Sequence, residues 1–392
     1  MVKRFMKIGM FTDTYHPQIN GVVTTIDAWK KELEKRGHEV VVVYPGPLGN
    51  KKDGIAVPSV HVPFYGGYYA GVPYGRIHAE LRSLDVVHTH SPFALGAYGA
   101  YVASKFRLPR IATHNTPIEE YVHYMISRDA FHDVAVRMYL AWQRRYMALA
   151  DTVTAPTQEA AHDLQRKIGR RVVVMSNGID TERFKRVSAE RFKRKHGLSG
   201  PLVGFAGRHS AEKRLEDLIA AADEIDATVV ITGDGPMRRT YERMAKGKNV
   251  VFTGFLPDEE MPGFYSALET LVLPSVAETQ GLVVLEANAC GTPVVGARAA
   301  ALRNTIKPRV NGFLYEPGDV GTLAKLVAKA MEGKARMASR CVKEAESHSV
   351  KRTADNLEEI YERARYKEGK FNHSYLYEPF RVFSYGMYRL LG

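Results

Sequence analysis

The sequence predicts an α/β chain of two tandem doubly wound domains, and three observations carry that prediction. Short apolar runs rich in Val and Ile alternate with helix-length stretches, beginning with 6–11, 22–36 and 39–43. Strand, helix and strand in that order imply a parallel sheet buried on both faces. The same grammar restarts near Leu202, and 392 residues at 45% hydrophobic content are enough for two cores of ordinary size.

Taken in order, residues 6–11 read as a strand, 12–21 as a loop and 22–36 as a helix stopped by Gly37, followed by a strand at 39–43. Further strands are expected at 85–88, 110–113, 152–154 and 171–175. Between them, 65–75 carries four tyrosines but is too Gly-rich for strand or helix, and 134–147 mixes basic and bulky apolar residues in a helical stretch. The second half offers strands at 202–206, 228–231, 250–252, 271–273 and 294–295, and a helix at 215–225. Residues 281–290 form a further helix, closed at Gly291. It is apolar on nearly every side and therefore belongs inside a layered domain. The domains are expected at 1–182 and 183–365, with the charged segment 181–200 as the junction. The tail 366–392, dense in Phe and Tyr with interspersed Arg, is expected to pack back on the first domain, membrane contact being the other reading.

Composition excludes several classes. No apolar run reaches 18 residues and the basic N-terminus lacks an apolar leader core, so neither membrane spanning nor secretion is expected. Two cysteines, Cys290 and Cys341, are too few for a disulfide framework and fit a reducing compartment. The formal charge of +12 calls for an anionic partner: nucleic acid, anionic lipid headgroups or a phosphorylated substrate. Neither a G-x-G-x-x-G after the first strand nor a P-loop occurs, which disfavours nicotinamide dehydrogenases and P-loop nucleotidases.

The stretch 275–293 is the most informative. Glu278 lies in its loop and Glu286 about one turn into the apolar helix, where a carboxylate is costly without a hydrogen-bonding partner. The free N–H groups of Gln280, Gly281 and Leu282 at the start of that helix make an anion site. A polyhydroxy ligand carrying phosphate would use all of these groups. The plainer reading has Glu278 capping the helix and Glu286 paired with a Lys or Arg. In the loop 207–215, Arg208 and Lys213 follow a strand and precede a helix, placed either to hold a diphosphate or to make an exposed basic loop. His114 follows the strand 110–113 and Gly21 precedes the helix 22–36. Gly233 and Phe255 lie in loops after strands. His88 and His90 have strand-end spacing for two metal ligands, but no third ligand is evident, and one is expected to be packed while the other lines the cleft.

The 275–293 string resembles the Glu-x-x-Gly-Leu-x-x-x-Glu-Ala frame of family-4 retaining glycosyltransferases, and the loop 207–213, Gly-Arg-x4-Lys in this chain, resembles that family's diphosphate clamp of one Arg and one Lys. The resemblance spans residues 6 to about 365. It implies a GT-B-type fold of two facing Rossmann-like domains and transfer of a hexose from a nucleotide-diphosphate sugar with retention, without a metal or other cofactor. In that frame Glu278 contacts donor-sugar hydroxyls, Glu286 the ribose, and Gln280, Gly281 and Leu282 offer backbone N–H groups. Arg208 and Lys213 hold the diphosphate, His114 lies against the sugar, Gly21 approaches the phosphates, and Gly233 and Phe255 sit by the base.

On the acceptor side, Tyr68 and Tyr69 in 65–75, placed either to meet a sugar or membrane interface or to fold back over the core, and His123 and Tyr124 in the string 119–124 are the candidate residues. That string and the opening 11–22 look like the branch of the family that glycosylates diacylglycerol or similar lipids. The resemblance therefore implies UDP-glucose as first-choice donor, GDP-mannose as second, and a lipid acceptor. It also implies an anionic membrane surface as partner, no nucleic acid, and a cytoplasmic, peripheral location; the basic helix 134–147 suits such a surface, ordinary domain packing being the commoner explanation of such a helix. A soluble acceptor, a nucleotide-sugar epimerase and a non-catalytic basic binding protein are the other readings.

Overall fold

Two parallel sheets order the chain in a computed structural model that describes residues 5–18, 20–46, 54–61, 69–73, 78–115 and 129–365. They belong to two compact units. The first comprises Met1–Pro156, Ala161–Met175 and Thr353–Gly392, and the second Thr157–Ala160 and Ser176–Arg352.

In the first stretch of chain the described elements are β1 (Lys7–Phe11), α1 (Gly21–Lys35), β2 (Glu39–Pro45), β3 (Ile55–Val57), β4 (Ser59–His61), β5 (Tyr69–Gly71), β6 (Val86–Thr89) and α2 (Ala94–Phe106). They continue with β7 (Arg110–Thr113), α3 (Asp129–Ala148), β8 (Thr152–Ala155), α4 (Gln158–Ile168) and β9 (Val173–Val174). The sheet runs β3-β2-β1-β6-β7-β8-β9, so its winding reverses between β1 and β6. Phe11 closes β1 in register with Val43 of β2 and Thr89 of β6. The helix α1 forms because its apolar residues recur at helical spacing: Val23, Ile26, Trp29 and Leu33 are all buried.

The second stretch holds α5 (Ala189–Lys195), β10 (Leu202–Ala206), α6 (Leu215–Ala221), β11 (Thr228–Thr232), α7 (Arg238–Met244), β12 (Val250–Gly254), α8 (Met261–Ala267) and β13 (Thr270–Leu273). It ends with α9 (Leu282–Ala289), β14 (Val294–Ala297), α10 (Leu302–Thr305), β15 (Gly312–Tyr315), α11 (Val320–Ser347) and α12 (Val350–Arg365). Its sheet runs β12-β11-β10-β13-β14-β15 and reverses between β10 and β13. Every residue of β10, β13 and β14 is buried, as a parallel sheet covered on both faces requires. Residues 284–289 of α9 are buried too, in keeping with its all-round apolar sequence.

Three expectations change. The partition departs from a 182/183 boundary: residues 353–365, expected in the second domain, cluster with the first unit. The reason is the inner face of α12, where Ala354, Leu357 and Tyr361 are fully buried, each larger side chain contributing roughly 1.5–3 kcal/mol of burial. Polar contacts fix the register, with Trp29 Nε1–H donating to Thr353 Oγ1 at 3.3 Å and Arg36 pairing with Asp355 at 2.6 Å. The Gly-rich stretch 65–75 contains a strand after all, since β5 pairs antiparallel with β4. The strand expected at 171–175 shrinks to two residues, because β9 is an edge strand with Val174 44% exposed. The tail 366–392 lies outside the described residues.

Candidate active site

Open α/β sheets take ligands beyond the carboxyl ends of their strands, at the point where winding reverses. In the second unit that point is flanked by the loops that follow β10 and β13, which carry Arg208, Lys213, Glu278, Gln280 and Gly281. The loop after β10 turns at Gly207, whose φ is +151°, a value glycine adopts without strain. A half-buried Arg208 follows. A short 3₁₀ turn, Ala211–Lys213, ends in Lys213, and the carbonyl of Glu212 accepts from Val276 N–H at 3.0 Å. That backbone bond ties the loop after β10 to the loop after β13. Its consequence is an ion pair between Lys213 Nζ and Glu278 Oε1, with the two side chains only 16% and 14% exposed. The cation of the clamp and the carboxylate of the string are thus each other's partner.

Gln280, Gly281 and Leu282 lead into α9. The Gln280 side chain is committed to structure: Oε1 accepts from Asn177 N–H at 3.0 Å and Nε2 donates to Ser176 Oγ at 2.6 Å. Its carbonyl accepts from Thr305 Oγ1 at 2.7 Å. Gly281 adopts φ +76°, and the start of α9 has no side-chain cap. The backbone N–H groups of the first turn are therefore what this segment offers an anion.

Glu286 lies on the buried side of α9, where Tyr265 Oη donates to its Oε2 at 2.5 Å. Burial pushes its carboxyl up from the ordinary value, opposed by that hydrogen bond and by the charge of Arg183. The Lys or Arg partner of the plainer reading is thus a phenol, with Arg183 acting through its field. Gly233 has φ +111°, and a Cβ there would stand 2.0 Å from the Gly207 carbonyl oxygen. Backbone bonds accompany this approach, His209 N–H to Asp234 O and Met237 N–H to His209 O, both 2.9 Å. Close packing of the two loops accounts for the glycine on its own. Phe255, just past β12, is 59% exposed.

The first unit holds His114 and Gly21. His114, buried at 6% exposure, follows β7 and its amide donates to Thr154 O at 2.8 Å. Gly21 opens α1, but the head of that helix is closed by Asn20, whose Oδ1 accepts from Val22 N–H at 3.0 Å and Val23 N–H at 3.1 Å. His88 has both ring nitrogens engaged, with Tyr361 Oη at 2.8 Å and Thr113 Oγ1 at 2.6 Å, which removes it as a metal ligand. Tyr69 lies in β5 at 43% exposure; Tyr68, His123 and Tyr124 lie outside the described residues.

Helix α3 carries the basic stretch. Gln143, Tyr146 and Met147 are buried, and Trp142 Nε1–H donates to Pro92 O at 2.6 Å. Its opposite face exposes Arg137, Arg144 and Arg145 beside Met138, 69% exposed, and Val134, 44% exposed.

Sequence reasoning missed Tyr265, the Ser176–Asn177 segment and the Asn20 cap. Only the last had a local signal, an Asn immediately before a helical run. Among the described residues no group of three His, Cys, Asp or Glu is placed to hold a metal ion, and no helix is long and apolar enough to cross a membrane.

Two family models match nearly end to end, Glycosyltransferase Family 4 over residues 19–183 and Glycosyl transferases group 1 over 187–348. The chain is 32% identical to an alpha-monoglucosyldiacylglycerol synthase of Streptococcus pneumoniae over 336 residues, covering 79% of this chain and 75% of that protein. It is 28% identical to a GDP-mannose-dependent alpha-mannosyltransferase of Corynebacterium glutamicum over 329 residues, 81% of this chain and 78% of that one. The crystal structure of Anabaena HepE in complex with UDP and glucose superimposes with a TM-score of 0.70 at 21% identity, covering 91% of this chain and 100% of the other. The fold is that of GT-B glycosyltransferases, and the chain belongs to glycosyltransferase family 4.

Proposed function

We propose that this glycosyltransferase moves glucose from UDP-glucose to diacylglycerol or a similar lipid, with retention of anomeric configuration and without a metal, at the cytoplasmic face of a membrane. One observation carries the donor half of this reading. The reversal point of the second sheet gathers Arg208, the Lys213–Glu278 pair and the uncapped start of α9. Two cations and oriented N–H groups suit a diphosphate leaving group, and a carboxylate beside them suits sugar hydroxyls.

In this mechanism Arg208, Lys213 and the N–H groups of Gln280, Gly281 and Leu282 stabilise the departing diphosphate. Glu278 and His114 hold the sugar as it gains oxocarbenium character, Glu286 binds the ribose, and Gly233 and Phe255 lie by the base. The acceptor hydroxyl attacks from the leaving-group side, and a phosphate oxygen takes its proton. Glu278 needs no nucleophilic role. Gly21 contributes to the phosphates only through its own backbone, because Asn20 holds the next two amides.

The lipid half rests on the first relative, named for diacylglycerol glucosylation, and on the outer face of α3, where exposed Met138 and Val134 stand among arginines. Apolar contacts framed by cations fit an anionic bilayer surface. The mannosyltransferase relative supports a second reading, GDP-mannose as donor. Nucleoside-diphosphate release from UDP-glucose and GDP-mannose, each with and without vesicles of diacylglycerol and phosphatidylglycerol, separates the two. Release that needs UDP-glucose and vesicles together is expected. Release from GDP-mannose alone overturns the donor, and release indifferent to vesicles overturns the lipid acceptor.

A further inference from the structure

The first sheet has its own reversal point, between β1 and β6. His90 stands there. It follows β6 directly, and its amide donates to the carbonyl of Phe11, the last residue of β1, at 2.9 Å. The residue therefore joins the two strand ends that flank the position where such sheets bind ligands.

His90 is 2% exposed, and its ring packs on that of His88, with centroids 4.3 Å apart, and on Trp29 at 5.8 Å. Asn115, just past β7, donates from Nδ2 to the His90 carbonyl at 3.3 Å, which fixes the orientation of its amide. The same Nδ2 stands 3.4 Å from His90 Nδ1. An amide NH₂ only donates, so Nδ1 is assigned the lone pair and Nε2 the proton. That Nε2–H finds no acceptor among the described residues. The contrast with His88, two residues earlier on the same strand and paired at both nitrogens, shows that the unit can satisfy a buried imidazole where it needs to. A buried donor without a partner costs free energy that a ligand oxygen would return. Burial also keeps the ring neutral, its pKa lowered to about 3. An uncharged N–H matches a hydroxyl better than it matches a phosphate.

We infer that His90 is a substrate-binding residue whose Nε2–H donates to a hydroxyl oxygen of a sugar or polyol bound at the reversal point of the first sheet. The inference rests on the glycosyl-transfer reading, which supplies two hydroxyl-bearing substrates, the donor sugar and the acceptor headgroup.

The test uses the full chain and the donor that the wild type turns over, with diacylglycerol–phosphatidylglycerol vesicles as acceptor. His90→Phe keeps the ring and loses the donor; His90→Gln keeps an N–H of similar reach. The expected result is a KM raised about tenfold for one substrate in His90→Phe, with nucleoside-diphosphate affinity and thermal midpoint unchanged, and partial rescue in His90→Gln. A shift confined to the vesicle KM puts the hydroxyl on the acceptor, and one confined to the donor KM puts it on the sugar. A wild type that turns over no donor overturns the function reading and this inference with it. A functional wild type that His90→Phe matches in both KM values overturns this inference alone, as does a loss that follows a falling midpoint and is not rescued by His90→Gln.

Discussion

The two sheets reverse at equivalent places, yet the loops there treat charge in opposite ways. In the first unit the chain closes its own helix heads. Asp13 accepts from Leu95 N–H at 2.8 Å and Gly96 N–H at 3.4 Å in the first turn of α2, and Asn20 does the same for α1. In the second unit the head of α9 has no side-chain cap, and the neighbouring loop brings Arg208 and Lys213. One fold thus yields two electrostatic settings at its reversal points. Where side chains already occupy the amides, little positive potential is left for an anion, and a neutral donor such as His90 is what remains. Where the amides are left uncapped beside cations, the potential suits the diphosphate of the proposed donor.

The sharpest way to break this contrast is at the Lys213–Glu278 pair. Lys213→Ala is expected to lower transfer by about 10²–10³-fold and to weaken nucleoside-diphosphate binding, because a cation is removed from the developing charge. Glu278→Gln is expected to lower transfer by a similar factor with the opposite effect on binding. Lys213, no longer held by a carboxylate, becomes fully available to the diphosphate, and calorimetry should show tighter binding than in the wild type. Weaker binding in Glu278→Gln would mean that the pair holds the loop in shape and does not restrain Lys213.

Glu286 sharpens the contrast at intermediate size. Its carboxyl is pushed up from an ordinary value of 4.5 by burial. The folded chain then holds the proton more tightly than the unfolded chain. Its stability contribution is full below the ordinary value and declines as pH rises through the raised folded value. Glu286→Gln removes that decline. Its melting temperature at pH 7.5 should exceed the wild type's by about 2–4 °C, the shift that ~1 kcal/mol gives in a domain of this size, with the difference vanishing below pH 4. Nucleoside-diphosphate binding should weaken at the same time if the carboxylate serves the ribose; a stabilised variant with unchanged binding would assign Glu286 to Tyr265 alone.

How much of this was legible in the sequence depends on the range of the interaction. The strands Arg110–Thr113 and Leu202–Ala206 fall where the apolar runs place them, because a strand buried on both faces needs no partner information. The loops around Arg208 and Glu278 were legible as one site only through their resemblance to the family's motifs, and the Glu212–Val276 bond is what makes them neighbours. Tyr265 was not legible, since it reaches Glu286 from another helix. A division between His88 and His90 was expected, but not which of the two would be the packed one. Their spacing marks both, and only Tyr361, 273 residues beyond His88, decides that one is satisfied.

The smallest expected effect tests the other side of the contrast. If the head of α1 is closed for structural reasons, Asn20→Ala exposes two amides that the side chain had satisfied, and the loss is that of an N-cap, about 1 kcal/mol within a range of roughly 0.5–2. Chemical denaturation should register it as a lower midpoint at unchanged slope, while kcat stays within about twofold of wild type. Asn20→Asp discriminates further. It keeps an acceptor oxygen and adds a negative charge at the positive end of the helix, so it should hold stability at or above the wild-type value. It would also repel any phosphate arriving at Gly21. A stable Asn20→Asp variant that loses donor affinity by about tenfold or more would show that the first unit carries more of the phosphate binding than the single Gly21 amide, and the division of labour between the two reversal points would fall.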